Sequence, residues 1–241
     1  MNTPLFQQTT PLGRRVRRLS SAFLPSSLSG LALWLDASDA TTFTTSSGLV
    51  TQWRDKSGNV NHAAQSGAAR PAYNAHTINA LPTVTFDASS TYLNLSSAIS
   101  DNGVTLFAVA SFNGLSSTGP FIGVPSGFGD TYFGIYGSIN TYFIYNDAGN
   151  NASTTLARSA TAKNYCATTG LNNLSLFVDG TSLVSGASGA FSSNYSQIGA
   201  RVVGSEHLDG NLGEFLLYNR VLTTPERGQV NAYIRSKWGT A

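Results

Sequence analysis

The rhythm of the apolar residues is what most constrains this chain. From Leu28 onward, short runs rich in β-branched, aromatic and leucine side chains alternate with clusters of Gly, Asn, Asp and Ser. Such runs are too short for helices and are punctuated where a strand must turn. Leu31-Ala32-Leu33-Trp34-Leu35 is continuous and suits a strand buried on both faces. Val104, Leu106, Ala108, Ala110 and Phe112 alternate and mark one face of a longer strand. Asp179-Gly180, set between two such runs, is a two-residue hairpin signal. About a dozen runs predict an all-β fold, a two-sheet antiparallel sandwich closed by Greek-key connections.

One segment departs from that rhythm. Thr223-Thr224-Pro225-Glu226 reads as a capping box, with Glu226 reaching back to the Thr223 amide. Proline in the first turn loses no intrahelical bond. Val230, Tyr233, Ile234 and Trp238 then recur at helical spacing, and Gly239 ends the pattern. One C-terminal amphipathic helix docked on the sandwich is expected.

Ahead of the rhythm lies a different kind of chain. Arg14, Arg15, Arg17 and Arg18 stand in the first thirty-five residues with no acidic side chain, while the remaining ten basic and twelve acidic residues leave the rest at −2. Residues 1–27 therefore read as an extended basic anchoring arm, and 28–241 as the β domain. The arm has too few large apolar residues for a core of its own and must take its shape from a partner. Four arginines can neutralise phosphates, but no aromatic interleaving or binding fold accompanies them, so nucleic acid is not the expected partner.

Charged residues make up 11% of the chain, against about 25% in ordinary domains. Ser, Thr, Asn and Gly fill the deficit, a surface common among lectin-like and virion proteins. Cys166 stands alone, which excludes an intrachain disulfide and suits a small buried hydrophobe. No apolar run approaches the roughly 20 residues of a membrane helix. The stretch from Leu19 to Pro25 is too short and polar for the core of a secretory signal.

Chemistry is sparser. Paired carboxylates for glycoside hydrolysis need acidic residues two apart on one strand, and Glu206, Glu214 and Glu226 have no such neighbour. The expectation is a protein that is not an enzyme. Calcium is the one cofactor left open, with Asp36 and Asp55 at strand ends as candidate ligands; Asx-turns are the alternative. The best ligand-site candidate is a tyrosine cluster: Asp130, Tyr132, Tyr136, Tyr142, Tyr145, Asn146 and Asp147. Exposed rings there would stack on sugars while Asn and Asp bond hydroxyls; cross-strand packing is the competing account.

Several motifs occur together in order. Leu31 to Ser38 resembles an opening strand, and Trp53-Arg54-Asp55-Lys56-Ser57-Gly58-Asn59 a tryptophan–aspartate–serine–glycine–asparagine turn. Phe86-Asp87, Leu176-Phe177-Val178-Asp179-Gly180 and Leu208-Asp209-Gly210 through Glu226 follow. Together they resemble the laminin-G-like, concanavalin A-like jelly rolls of bacterial and phage proteins over about residues 28–240. The resemblance implies a phage virion protein on the capsid or tail exterior, joined to other virion proteins through its arm. It would act as a fibre binding host-surface glycans or as a decoration protein, and would be a homo-oligomer in the assembly. An extracellular bacterial carbohydrate-binding module is the alternative.

Overall fold

The computed structural model describes residues 23–101, 103–114, 119–123, 132–136, 141–145, 151–157, 159–170, 173–187, 193–202 and 205–241. Among them are nineteen strands and one α-helix. The strands are β1 (Leu31–Asp36), β2 (Phe43–Ser46), β3 (Leu49–Trp53), β4 (Ala63–Ala64), β5 (Ala72–Ile78), β6 (Leu81–Asp87) and β7 (Leu93–Asp101). There follow β8 (Thr105–Phe112), β9 (Gly119–Gly123), β10 (Tyr132–Tyr136), β11 (Thr141–Tyr145), β12 (Asn151–Thr155) and β13 (Lys163–Gly170). The last are β14 (Asn173–Val178), β15 (Thr181–Ala187), β16 (Ser193–Ile198), β17 (Ala200–Val202), β18 (Ser205–His207) and β19 (Asp209–Tyr218). Helix α1 spans Thr224–Trp238.

All but β17 and β18 join one antiparallel sheet that curls on itself. One run of pairings leads from β19 through β8 and β13 to β14 and β15. Another leads from β7 through β16 and β9 to β10, β11 and β12. The curl brings the two runs into ring contact. Phe121 of β9 lies 5.1 Å from Tyr165 of β13, and Tyr142 of β11 lies 5.4 Å from the same ring. The all-β expectation therefore stands. At the Asp179-Gly180 hairpin both residues take positive φ, 50° and 82°, as the tightest two-residue turn demands.

Alternation predicts one buried face for β8, yet all eight of its residues are buried. The helix explains this by lying across the outer face of the same run. Val230, Ile234 and Trp238 are its buried residues, Thr223 N–H donates to Glu226 Oε2 at 2.8 Å, and Gly239 ends it at φ 67°. The expected domain boundary also moves. Pro25 is buried, the Tyr218 hydroxyl donates to its carbonyl at 3.0 Å, and Phe23 packs edge-on against Tyr233. Residues 23–27 thus pack on the globule, because Phe23 and Pro25 find cover there while Leu24 stays exposed. Arg14, Arg15, Arg17 and Arg18 lie outside the described residues.

What fixes α1 to the sheet is a buried carboxylate. Glu214 of β19 accepts from Trp34 Nε1 at 2.6 Å and the Tyr233 hydroxyl at 2.9 Å through Oε1. Its Oε2 accepts from Lys237 Nζ at 2.9 Å and Trp238 Nε1 at 2.5 Å. Lys237 also pairs with Asp36 at 2.6 Å, and Asp36 with Lys56 at 2.8 Å. Lys56 in turn holds Asp39, bringing that carboxyl down to about 2. Burial pushes Glu214 upward in pKa while the Lys237 charge opposes the rise.

Glu214→Ala should cost about 3 kcal/mol in denaturant unfolding, since it takes the acceptor from two buried indole N–H groups and the Tyr233 hydroxyl and leaves Lys237 with Asp36 as its one carboxylate. Lys237→Met should lift the Glu214 pKa further above its unfolded value of about 4.3. A raised folded pKa means stability present at low pH and lost as pH rises through it. The variant should therefore lose more stability relative to the wild type at pH 8 than at pH 5.

Candidate functional site

An open cleft of about 520 Å³ runs between the first half of α1 and strands β13, β14 and β15. Its floor follows from strand alternation. Tyr165, Ala167, Leu174 and Leu176 point into the core and are fully buried. The intervening positions face the helix, and the register sets Cys166 opposite Phe177 and Thr168 opposite Ser175. Beyond them Phe177 pairs with Ser182. These outward side chains are mostly small and hydroxylated, so a groove is left where larger ones would have met the helix.

The helix supplies the opposite wall through Thr224, Arg227, Gly228 and Asn231. The Asn231 amide oxygen accepts from Asn164 Nδ2 at 2.9 Å. Gly180 must stay small, because a Cβ there would sit 3.1 Å from Asn231 Nδ2 in addition to its positive φ. Gly228 differs, for a Cβ there would meet nothing within 4 Å. A glycine inside a helix costs about 1 kcal/mol against alanine. No packing demand explains it, and its effect is to keep the cleft wall low. On the floor, burial pushes the Cys166 thiol well up, so it stays protonated. Hydroxyls, amides and one guanidinium beside an aromatic ring are suited to hydrogen bonding a polyhydroxylated ligand.

The expected tyrosine site is not assembled as such among the described residues. Tyr142 is fully buried, donating its hydroxyl to the Cys166 carbonyl at 2.8 Å and packing 5.7 Å from Phe133. Its ring is core and has no face for a sugar, because β11 turns that side inward. Tyr132 pairs with Tyr145, and Tyr136 with Thr141, along β10 and β11. The side chains of Tyr132, Tyr136 and Tyr145, and the whole of Asp130, Asn146 and Asp147, lie outside the described residues.

The calcium assignments are corrected. Asp36 offers its oxygens to Lys237, Lys56 and Ser38, two of them cations. Asp55 Oδ1 accepts from Trp34 N–H and Ser57 N–H, and Oδ2 from the Ser57 hydroxyl and Asn61 N–H. Those four donors tie its loop to β1. Among the described residues no group of three His, Cys, Asp or Glu side chains is placed to hold a metal. Nor is any described helix long and apolar enough to cross a membrane.

No protein family matches the chain in sequence, and no curated protein does. Solved structures do match in fold. Trypanosoma rangeli sialidase in complex with sialic acid aligns with TM-score 0.61 at 19% identity, covering 89% of this chain and 34% of that one. A GH54 α-L-arabinofuranosidase aligns with TM-score 0.60 at 15% identity, covering 87% of this chain and 60% of that one. Domain 4 of AbnA, a GH43 extracellular arabinanase from Geobacillus stearothermophilus, in complex with arabinotriose, gives TM-score 0.59 at 12% identity. There the match covers 81% of this chain and 95% of that domain. At such identities the likeness is one of fold, and the chain spans about a third of the sialidase's length.

These neighbours overturn the expectation of a chain that is not an enzyme, since the fold occurs within glycoside hydrolases. Acidic pairs need not lie along one strand, for β1 and β19 set Asp36 directly opposite Glu214. A pair made across strands nearly 180 residues apart leaves no local pattern. The cleft was missed as well, although small polar residues at outward positions of three successive strands and a mid-helix glycine were visible signals.

Gly228→Ala should raise unfolding stability by about 0.5–1 kcal/mol, measured by urea denaturation, because the helix gains and no contact is lost. A loss of stability would show that the wall position is sterically required.

Proposed function

We propose that the chain is a carbohydrate-binding domain, with the cleft between α1 and β13–β15 as its glycan site and the curled sheet a concanavalin A-like jelly roll. The observation that carries this reading is the match to AbnA domain 4, which extends over nearly all of a separate domain whose solved complex holds an oligosaccharide. The cleft adds chemical support. Sugar hydroxyls exchange hydrogen bonds with water for bonds to Ser, Thr and Asn side chains, and such bonds are each worth about 1 kcal/mol net.

A second reading concerns residues 1–22, and its support is the charge split. Four arginines without an acidic neighbour suit docking on an acidic surface of a larger assembly. A phage particle displaying the domain outward is the proposed setting. Deletion of residues 1–22 should leave the domain folded and abolish its incorporation into particles, followed by mass spectrometry of purified virions.

The glycan reading is tested with the full chain on an oligosaccharide array. Binding to at least one glycan class is expected, and Gly228→Phe should weaken it at least about tenfold while the melting temperature stays within a few degrees. Undiminished binding by that variant would move the site elsewhere.

A further inference from the structure

Resting on the reading of the cleft as a glycan site, we infer that its ligand is an acidic saccharide, and that Arg227 selects the carboxylate. Arg227 is the only charged residue among the described side chains lining the cleft. Glu226, its neighbour in the chain, and Asp179, at the turn that borders the cleft, are already engaged. Glu226 holds Arg220 at 2.7 Å, and Asp179 at the β14–β15 turn holds Lys163 at 3.0 Å. No ion pair among the described residues includes Arg227.

The guanidinium is held in place without being neutralised. Nη1 donates to the Leu222 carbonyl at 2.6 Å, Nη2 donates to Thr224 Oγ1 at 3.1 Å, and Cζ lies 4.7 Å from the centre of the Phe177 ring. A guanidinium carries five N–H donors in a planar fork, so donors remain for a ligand. Positioning by neutral partners keeps the full charge, and a planar carboxylate matches the fork with two parallel bonds. The charge is felt at the floor of the cleft, where Arg227 acts against the upward push of burial on the Cys166 thiol. Access is open too, because Gly228 presents no side chain beside it. The surrounding hydroxyls and amides of Thr168, Ser175, Ser182 and Asn231 address the sugar's neutral groups. An anion without hydroxyls would leave these unused, and a neutral sugar would leave the cation without a counter-charge.

The experiment titrates the full chain with trigalacturonate, a hyaluronan tetrasaccharide and sialyllactose, each beside its carboxyl methyl ester, by calorimetry at low and high salt. For at least one pair the acid should bind about tenfold more tightly than its ester, a margin that shrinks with salt. Arg227→Gln should erase that margin while leaving ester binding in place, and Arg227→Lys should restore part of it. Gly228→Phe, which fills the cleft beside Arg227 while keeping the guanidinium itself, should remove binding of both forms. Equal affinity for acid and ester that Gly228→Phe abolishes would overturn the charge selection and leave the glycan site standing. An acid preference that survives Arg227→Gln in a folded protein would overturn the role of Arg227. Binding of no acid, ester or array glycan would overturn both readings together.

Discussion

Glu214 places a carboxylate in the interior of the protein, where four donors must satisfy it at once. One comes from β1 and three from α1. An uncompensated buried charge costs several kcal/mol, so the helix has one acceptable seat on the sheet. Sliding α1 by a single residue would swing Lys237 through about 100° and leave the carboxylate with only the Trp34 donor from β1. Gly213 makes the seat possible, because a Cβ there would lie 2.8 Å from the Trp238 ring. The charge chain continues outward through Asp36, Lys56 and Asp39, so the loops around β1 are tied to the same point.

That seat determines the cleft. With the second half of α1 fixed over β19 and β1, the first half is carried across β13–β15 whatever their outward side chains are. Those side chains are small, and a gap results. Arg227 and Lys237 are ten residues apart, about 15 Å along the axis. The network therefore positions the site without sharing its chemistry. Damage to Glu214 should disturb binding through misplacement of the helix, whereas changes at Arg227 act on the ligand directly.

Local features were legible in the sequence and long-range ones were not. The capping box at Thr223, the stop at Gly239 and the Asp179-Gly180 turn are each decided within a few residues, and each appears where expected. The inward face of β11 is decided instead by strands far away in sequence, which is why Tyr142 was read as a binding residue and is core. Asp55 shows the same limit. Its spacing suits an Asx-turn and leaves a metal open, whereas the approach of Trp34 N–H from β1 is set by a strand about twenty residues away. Phe23 and Pro25 looked like arm because their partners, Tyr233 and Tyr218, lie near the other end of the chain.

The two proposals support each other energetically. A groove of small hydroxyl and amide side chains trades water bonds for sugar bonds at little net gain per bond, and one arginine adds a contribution that salt weakens. Affinity from a single such cleft is modest by construction. Copies held together on a larger body turn later contacts into local ones at high effective concentration, and weak sites then hold firmly. A basic arm that gathers copies, as proposed, would be the counterpart of such a cleft. Under the same proposal, few charged residues in the domain are an advantage. Repulsion between neighbouring copies would erode the gain from gathering them, whereas Ser, Thr and Asn keep the surface wet at no electrostatic cost.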